Sequence, residues 1–217
     1  MSIRDARKQQ SHQALLDTVL QLCTQGRSFS SLSLREVARE VGLAPTAFYR
    51  HFQDMDHLGL ELVDQASLQL KKVLYQLSLA ALQQPQHPPE HTLELFFQAV
   101  EVYPQPWIFM IAERWGGCTP VREAIEREIN FLIDDCSYNL AQHASIQALQ
   151  PAEQQALGHL LINLAQSWAM SWIKLLQQNN AANLPAQRET LLQRSQTQLH
   201  LLFCGILHCA VSTAEPV

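Results

Sequence analysis

Glycine is scarce in this 217-residue chain, with seven in all, and only 16% of the residues are charged. Few glycines argue against a β-rich fold with many tight turns, and the abundance of alanine, leucine and glutamine favours helix. Cysteines number five (Cys23, Cys118, Cys136, Cys204 and Cys209) and none form a CxxC pair. The spacing excludes a zinc finger, and the odd count argues against a disulfide framework. Long apolar runs are missing as well. "LHLLFCGILHCAV" is too short and too interrupted to span a bilayer, and the polar "MSIRDARKQQSHQ" start lacks a signal-peptide core. We therefore expect no membrane segment and a cytoplasmic location. HExxH, GxSxG and paired carboxylates set among glycines and aromatics are absent too, so a helical enzyme is the weaker reading. Asp134-Asp135 reads as a solvated acidic face.

What is present is 47% hydrophobic residues, enough for a sizeable core. The net charge of −5 is uneven. Residues 1–53 hold seven Lys/Arg against four Asp/Glu, a net +3, which leaves −8 on the rest. A basic head on an acidic body suits a nucleic-acid-binding segment.

Periodicity organises the chain into about nine helices and no strand. Leu16, Val19, Leu20 and Cys23 recur at i, i+3, i+4, i+7 within 13–24, and Gly26 ends that helix. Ser33 followed by Glu36 reads as a capping box. Leu34, Val37, Ala38 and Val41 then form one apolar face, stopped by Gly42. Pro45 opens the next helix, where Phe48 and Phe52 close a three-helix core. A longer helix runs from Asp56 to about Leu82, followed by a loop at 83–89. Further helices are expected at 91–103, 105–115, 120–143, 152–180 and 186–211, with Thr119 capping the helix that begins at Pro120. The domains are expected to be 1–54 and 55–217.

Two short helices around a glycine turn form a helix-turn-helix signature. The second helix must fit a major groove, so small and polar residues belong outside. Ser33, Arg35, Pro45, Thr46, Ala47, Tyr49, Arg50 and His51 are the DNA-binding candidates. Tyr49 and His51 suit phosphates, and Arg50 suits a phosphate or guanine. Ser33 and the N–H groups after it suit a phosphate. The competing reading is a helical hairpin with a solvated charged face.

"SLREVAREVGLAPTAFYRHF", followed by Asp54, resembles the DNA-binding domain of TetR-type transcriptional regulators over about residues 8–62. The shared features are Ser33, Arg35, Val37-Ala38, Gly42, Phe48-Tyr49 and His51-Phe52. One departure is Met55, where many members carry a phosphate-binding lysine. "RSFSSLSLREVAREVGLAPTAFYRHFQDMDHLGLELVDQ" and the later "FMIAERWGG" and "VREAIEREINFLIDD" resemble the FabR/DesT branch, repressors of unsaturated fatty-acid synthesis or desaturation. The resemblance implies an all-α fold: an N-terminal three-helix DNA-binding domain followed by a helical effector-binding and dimerisation domain. It implies a homodimer joined through the C-terminal helices, bound to a palindromic double-stranded DNA operator. It implies no cofactor but a small lipophilic effector, a long-chain acyl-CoA or related acyl ligand. The alternative within the fold is a repressor of efflux or catabolic genes that senses another lipophilic molecule.

For an acyl chain the candidate walls are Phe96, Phe97, Trp107, Met110, Trp168 and Trp172, with Arg114 as a cation for the ligand's charged end. At helical spacing the same aromatics equally read as core, and Trp168 and Trp172 also as interface. Arg114 equally reads as a helix C-terminal cation favoured by the macrodipole. His159 and His200 read as ordinary core or surface histidines. Leu199, Leu202, Phe203, Ile206, Leu207 and Ala210 make the last helix apolar on more than one face, as an intersubunit four-helix bundle with 156–176 requires.

Overall fold

The computed structural model describes residues 3–83, 89–178 and 183–212. These form ten α-helices and one 3-10 turn, with no strand among the described residues. In chain order they are α1 (Ile3–Thr24), the 3-10 turn (Phe29–Ser31), α2 (Leu34–Glu40), α3 (Pro45–Phe48), α4 (Met55–Gln83), α5 (Pro89–Val102), α6 (Pro104–Glu113), α7 (Thr119–Leu140), α8 (Ala144–Gln147), α9 (Pro151–Gln177) and α10 (Leu184–Ser212). The all-α expectation holds. The helix beyond the expected nine is α8, a single turn too short to carry a hydrophobic period. The loop expected at 83–89 lies almost wholly outside the described residues.

α1 begins at Ile3, ten residues before the expected start. Its first half has no apolar stripe, but Arg, Ala, Lys and Gln are good helix formers and no glycine or proline interrupts them. α4, α6 and α9 end within a few residues of their expected limits. Pro89, Pro104 and Pro151 each stand at a helix start, where the missing N–H costs nothing. Thr119 is the first residue of α7 rather than a cap outside it: the Arg122 N–H reaches the Cys118 carbonyl, and Thr119 Oγ1 accepts from the Arg122 guanidinium at 3.3 Å.

Two compact units divide the chain. The first comprises Met1–Leu70 and Gln105–Glu128, the second Lys71–Pro104 and Ile129–Val217. The start of α4, nearly all of α6 and the start of α7 pack with the head, because their buried faces complete its core.

In the first unit Leu15, Leu16 and Val19 of α1, Val37 and Ala38 of α2, Phe48 of α3 and Leu58 of α4 are fully buried. Phe52 joins them, its ring 5.6 Å from that of Phe48. Phe29 fills the space beside Gly59. A Cβ there would lie 2.6 Å from both Phe29 and Val121, so glycine is what lets α4 approach them.

In the second unit α5, α9 and α10 pack together, and α8 packs on α10. Phe97 stacks on Trp172 with centroids 4.4 Å apart, and Phe96 meets Trp168 edge-on at 6.3 Å. Trp168 donates to Gln198 at 2.7 Å, tying α9 to α10. Leu202 and Phe203 of α10 pack on Ile146, Leu149 and Leu157, while Leu201 is 65% exposed. The side chains of Ile206, Leu207 and Ala210, named in the bundle expectation, lie outside the described ones.

Candidate nucleic-acid interface

α2 is started by Ser33, whose hydroxyl accepts the Glu36 N–H at 3.3 Å. The reciprocal half of the expected capping box is absent. The Glu36 carboxylate instead receives the Arg27 guanidinium through two bonds of 2.5 and 3.3 Å. Arg27 holds the Glu36 carboxyl below its ordinary value, chiefly through this hydrogen bond, and the pair takes Glu36's negative charge off the cationic surface.

The turn after α2 is a Schellman motif. The Gly42 N–H reaches the Arg39 carbonyl at 3.0 Å and the Leu43 N–H reaches that of Ala38 at 2.8 Å. Gly42 has φ of +73°, a conformation that costs a side-chain-bearing residue strain. α3 follows with Pro45 in its first turn, and the chain stays coiled to Phe52: His51 N–H bonds to the Phe48 carbonyl at 2.8 Å and Phe52 N–H to the same carbonyl at 3.1 Å.

This geometry sorts the candidate residues. Phe48 and Phe52 point into the core, while Ser33, Arg35, Pro45, Thr46, Tyr49 and Arg50 are exposed, Tyr49 by 63%. Ala47 and His51 are half-buried. His51 is not a plain outward donor: its Nδ1 is enclosed with no hydrogen-bond partner, and its ring centroid lies 5.8 Å from that of His12. Burial, followed by the positive charges of His12, Lys8 and Arg50, holds the His51 imidazole below its ordinary pKa. Sequence reasoning missed Lys8 and His12 because α1 was expected to start after them. Their i, i+4 spacing was the available signal.

The effector candidates are divided between the units. Phe96, Phe97, Trp168 and Trp172 form one aromatic cluster in the second unit, all buried. Trp107 and Met110 are buried in the first unit, and the half-buried Arg114 lies over the exposed Trp115 ring at 5.6 Å. None of these seven lines the cavity found in the second unit. That cavity, of about 470 Å³, lies within the second unit between α4, α5, α7 and α9. Its walls include Leu74, Leu77, Leu132, Leu161 and Ile162, with Lys71 and Asp135 as charged groups. Among the described residues no cluster of three or more His, Cys, Asp or Glu side chains is set to hold a metal. No helix among them is long and apolar enough to cross a membrane.

An exposed second helix, held by a glycine turn and a buried phenylalanine pair and followed by the exposed Arg50, defines a helix-turn-helix head. Residues 23–62 match the family model described as bacterial regulatory proteins, tetR family. A relative from Haemophilus influenzae, an uncharacterized HTH-type transcriptional regulator, is 37% identical over 133 residues, 61% of this chain and 64% of that protein. The matched part thus spans under two thirds of the relative's length.

Solved structures share the fold at low identity. A transcriptional regulator from Aquifex aeolicus superposes with a TM-score of 0.58 at 16% identity, over 88% of this chain and 99% of that one. The fatty acid degradation regulator FadR from Bacillus halodurans gives 0.54 at 16%, over 84% and 94%. NalD of Pseudomonas aeruginosa, the secondary repressor of the MexAB-OprM multidrug efflux pump, gives 0.53 at 18%, over 85% and 96%. The Haemophilus influenzae relative and these solved structures carry the names of regulators.

Proposed function

We propose that the protein is a cytoplasmic transcriptional repressor that binds a palindromic operator as a homodimer. The observation that carries this reading is the exposed set Arg35, Thr46, Tyr49 and Arg50 standing around buried Phe48 and Phe52 in a tetR-family segment. Arg50 and Thr46 suit base edges, and Tyr49 and Arg35 suit phosphates. A dimer formed through α9 and α10 presents two heads, whose half-sites lie about 34–36 Å apart or somewhat more.

The effector reading is finer. A long-chain acyl-CoA, or a related acyl ligand, fits the second-unit cavity better than the aromatic cluster, which is already filled by its own rings. The leucine-rich wall suits an alkyl chain, and Lys71 supplies a cation for a thioester ligand's phosphates. Controlled genes would then be those of fatty-acid desaturation or unsaturated fatty-acid synthesis. An effector acts only through its differential affinity for the two DNA-binding states.

The test begins with selection of bound duplexes from a random-sequence pool, which returns the operator and, through its genomic neighbours, the regulated genes. Arg35→Ala and Tyr49→Ala should lose the selected duplex while remaining dimeric. If both variants still protect it in a footprint, the DNA-binding assignment fails. Long-chain acyl-CoA should alter operator affinity where free CoA does not. A response only to other lipophilic compounds would leave the repressor reading and replace the acyl one with efflux or catabolic control.

A further inference from the structure

A second cavity, of about 350 Å³, lies in the first unit, where α1 meets the residues that follow α3. It is lined by Asp5, Lys8, Gln9, His12, Arg50 and His51. Lys8 and Arg50 make no ion pair among the described residues, so two full positive charges face one hollow. His12 is fixed in place from two sides: its Nε2 pairs with Glu61 Oε1 of α4 at 2.6 Å, and its ring stacks on Phe52 at 4.5 Å. The enclosed Nδ1 of His51 adds a polar atom that nothing in the protein satisfies. Asp5 is the only anionic group among the lining residues.

Two cations and two imidazoles around a small hollow match the needs of a tetrahedral oxyanion. Its position beside Arg50, itself on the DNA-facing surface, favours a phosphate that arrives on the same duplex. We propose that Lys8, His12, Arg50 and His51 hold one backbone phosphate of the bound DNA, extending the footprint from the helix-turn-helix onto α1. The inference rests on the DNA-binding reading above. Lys8 and His12 are its new members, and neither touches a base, so the contact adds affinity and orientation without sequence preference.

The experiment measures salt dependence on a duplex selected by the wild-type protein. Fluorescence anisotropy between about 50 and 200 mM salt gives the slope of log K against log salt, to which each neutralised phosphate contributes about 0.9. Lys8→Gln should reduce the magnitude of that slope by about 0.9 per head and leave the preferred sequence unchanged on reselection. Lys8→Arg should restore the slope, and Lys72→Gln, an exposed change on α4, should leave it as in the wild type. An unchanged slope in Lys8→Gln overturns the inference. So does an unchanged slope combined with millimolar inorganic phosphate that shifts the His51 imidazole resonances, since that marks a free-anion site. A wild type that retains no duplex at all overturns the regulator reading and this inference together; normal wild-type binding with an unaltered Lys8→Gln slope overturns this inference alone.

Discussion

Glu113 Oε1 accepts the backbone N–H of Phe29 at 2.8 Å, joining positions 84 residues apart. The bond is buried, and Glu113 is only 3% exposed. It satisfies a donor in the 3-10 turn that connects α1 to α2, using a carboxylate at the end of α6. The other oxygen, Oε2, has no protein partner, and a Cβ at residue 116 would lie 2.1 Å from it, so Gly116 provides the room the carboxylate occupies. Glu113→Leu should leave the Phe29 N–H buried and unpaired, at a cost of about 1–3 kcal/mol. Glu113→Gln keeps an acceptor and should lose less. Urea unfolding followed by circular dichroism checks the order. Equal losses in both variants would mean the bond contributes little.

Phe48 and Tyr49 are neighbours with opposite roles, and stability should separate them. Phe48 is fully buried beside Phe52, so Phe48→Ala should cost about 3–5 kcal/mol. Tyr49 is 63% exposed, so Tyr49→Ala should change stability by no more than about 0.5 kcal/mol while removing operator binding. A large drop in the Tyr49→Ala melting temperature would show that its ring supports the fold and would remove the basis for reading it as a DNA contact.

His51 makes the head sensitive to acid. Burial, then His12, Lys8 and Arg50, hold its folded pKa below the ordinary value. The groups facing it include Asp5, Lys8 and His12 from α1 together with Arg50, while Glu61 of α4 holds His12. A depressed histidine pKa means the unfolded chain binds the proton first. Stability from neutral His51 is therefore present above about pH 6.5 and is lost as pH falls from there through the folded pKa. His51→Gln should show a smaller drop in urea midpoint between about pH 7.5 and pH 5.5 than the wild type. An identical drop would assign the acid sensitivity to other groups.

The parts of this molecule that were legible in the sequence are those set by local chemistry. Ser33 before an apolar period, Gly42 at a left-handed turn and Pro45 at a first turn each act within a few residues, so spacing alone located α2 and α3. The Phe48/Phe52 pair followed from helical register. Glu36 was misassigned because its partner is decided in three dimensions: a local cap and a distant guanidinium competed, and Arg27 won. Lys8 and His12 share an i, i+4 spacing, but what they and Glu113 meet is set by the approach of other helices, which no periodicity records. The bulky rings named for the effector pack on one another. The cavity opens elsewhere in the second unit, beside Leu74, Leu132 and Leu161 and the rings of Tyr75 and Tyr138, where no helical period marks a gap.

Cys136 lines that cavity, and burial pushes its thiol up to about 11. At neutral pH it is therefore almost wholly protonated and a poor nucleophile. The buried Cys23 is pushed up further, to about 12. An effector held in this cavity, as proposed above, would be read by occupancy and shape rather than by thiolate chemistry. Brief iodoacetamide treatment followed by mass spectrometry should label the exposed Cys204 well before Cys136. Long-chain acyl-CoA, if it occupies the cavity, should slow the residual labelling of Cys136 without altering that of Cys204. Leu161→Trp, which puts an indole into the same space, should abolish that protection and the effect of acyl-CoA on operator affinity together. Protection lost with the operator response retained would move the effector site elsewhere. Fast labelling of Cys136 in the wild type would instead point to thiol-based sensing.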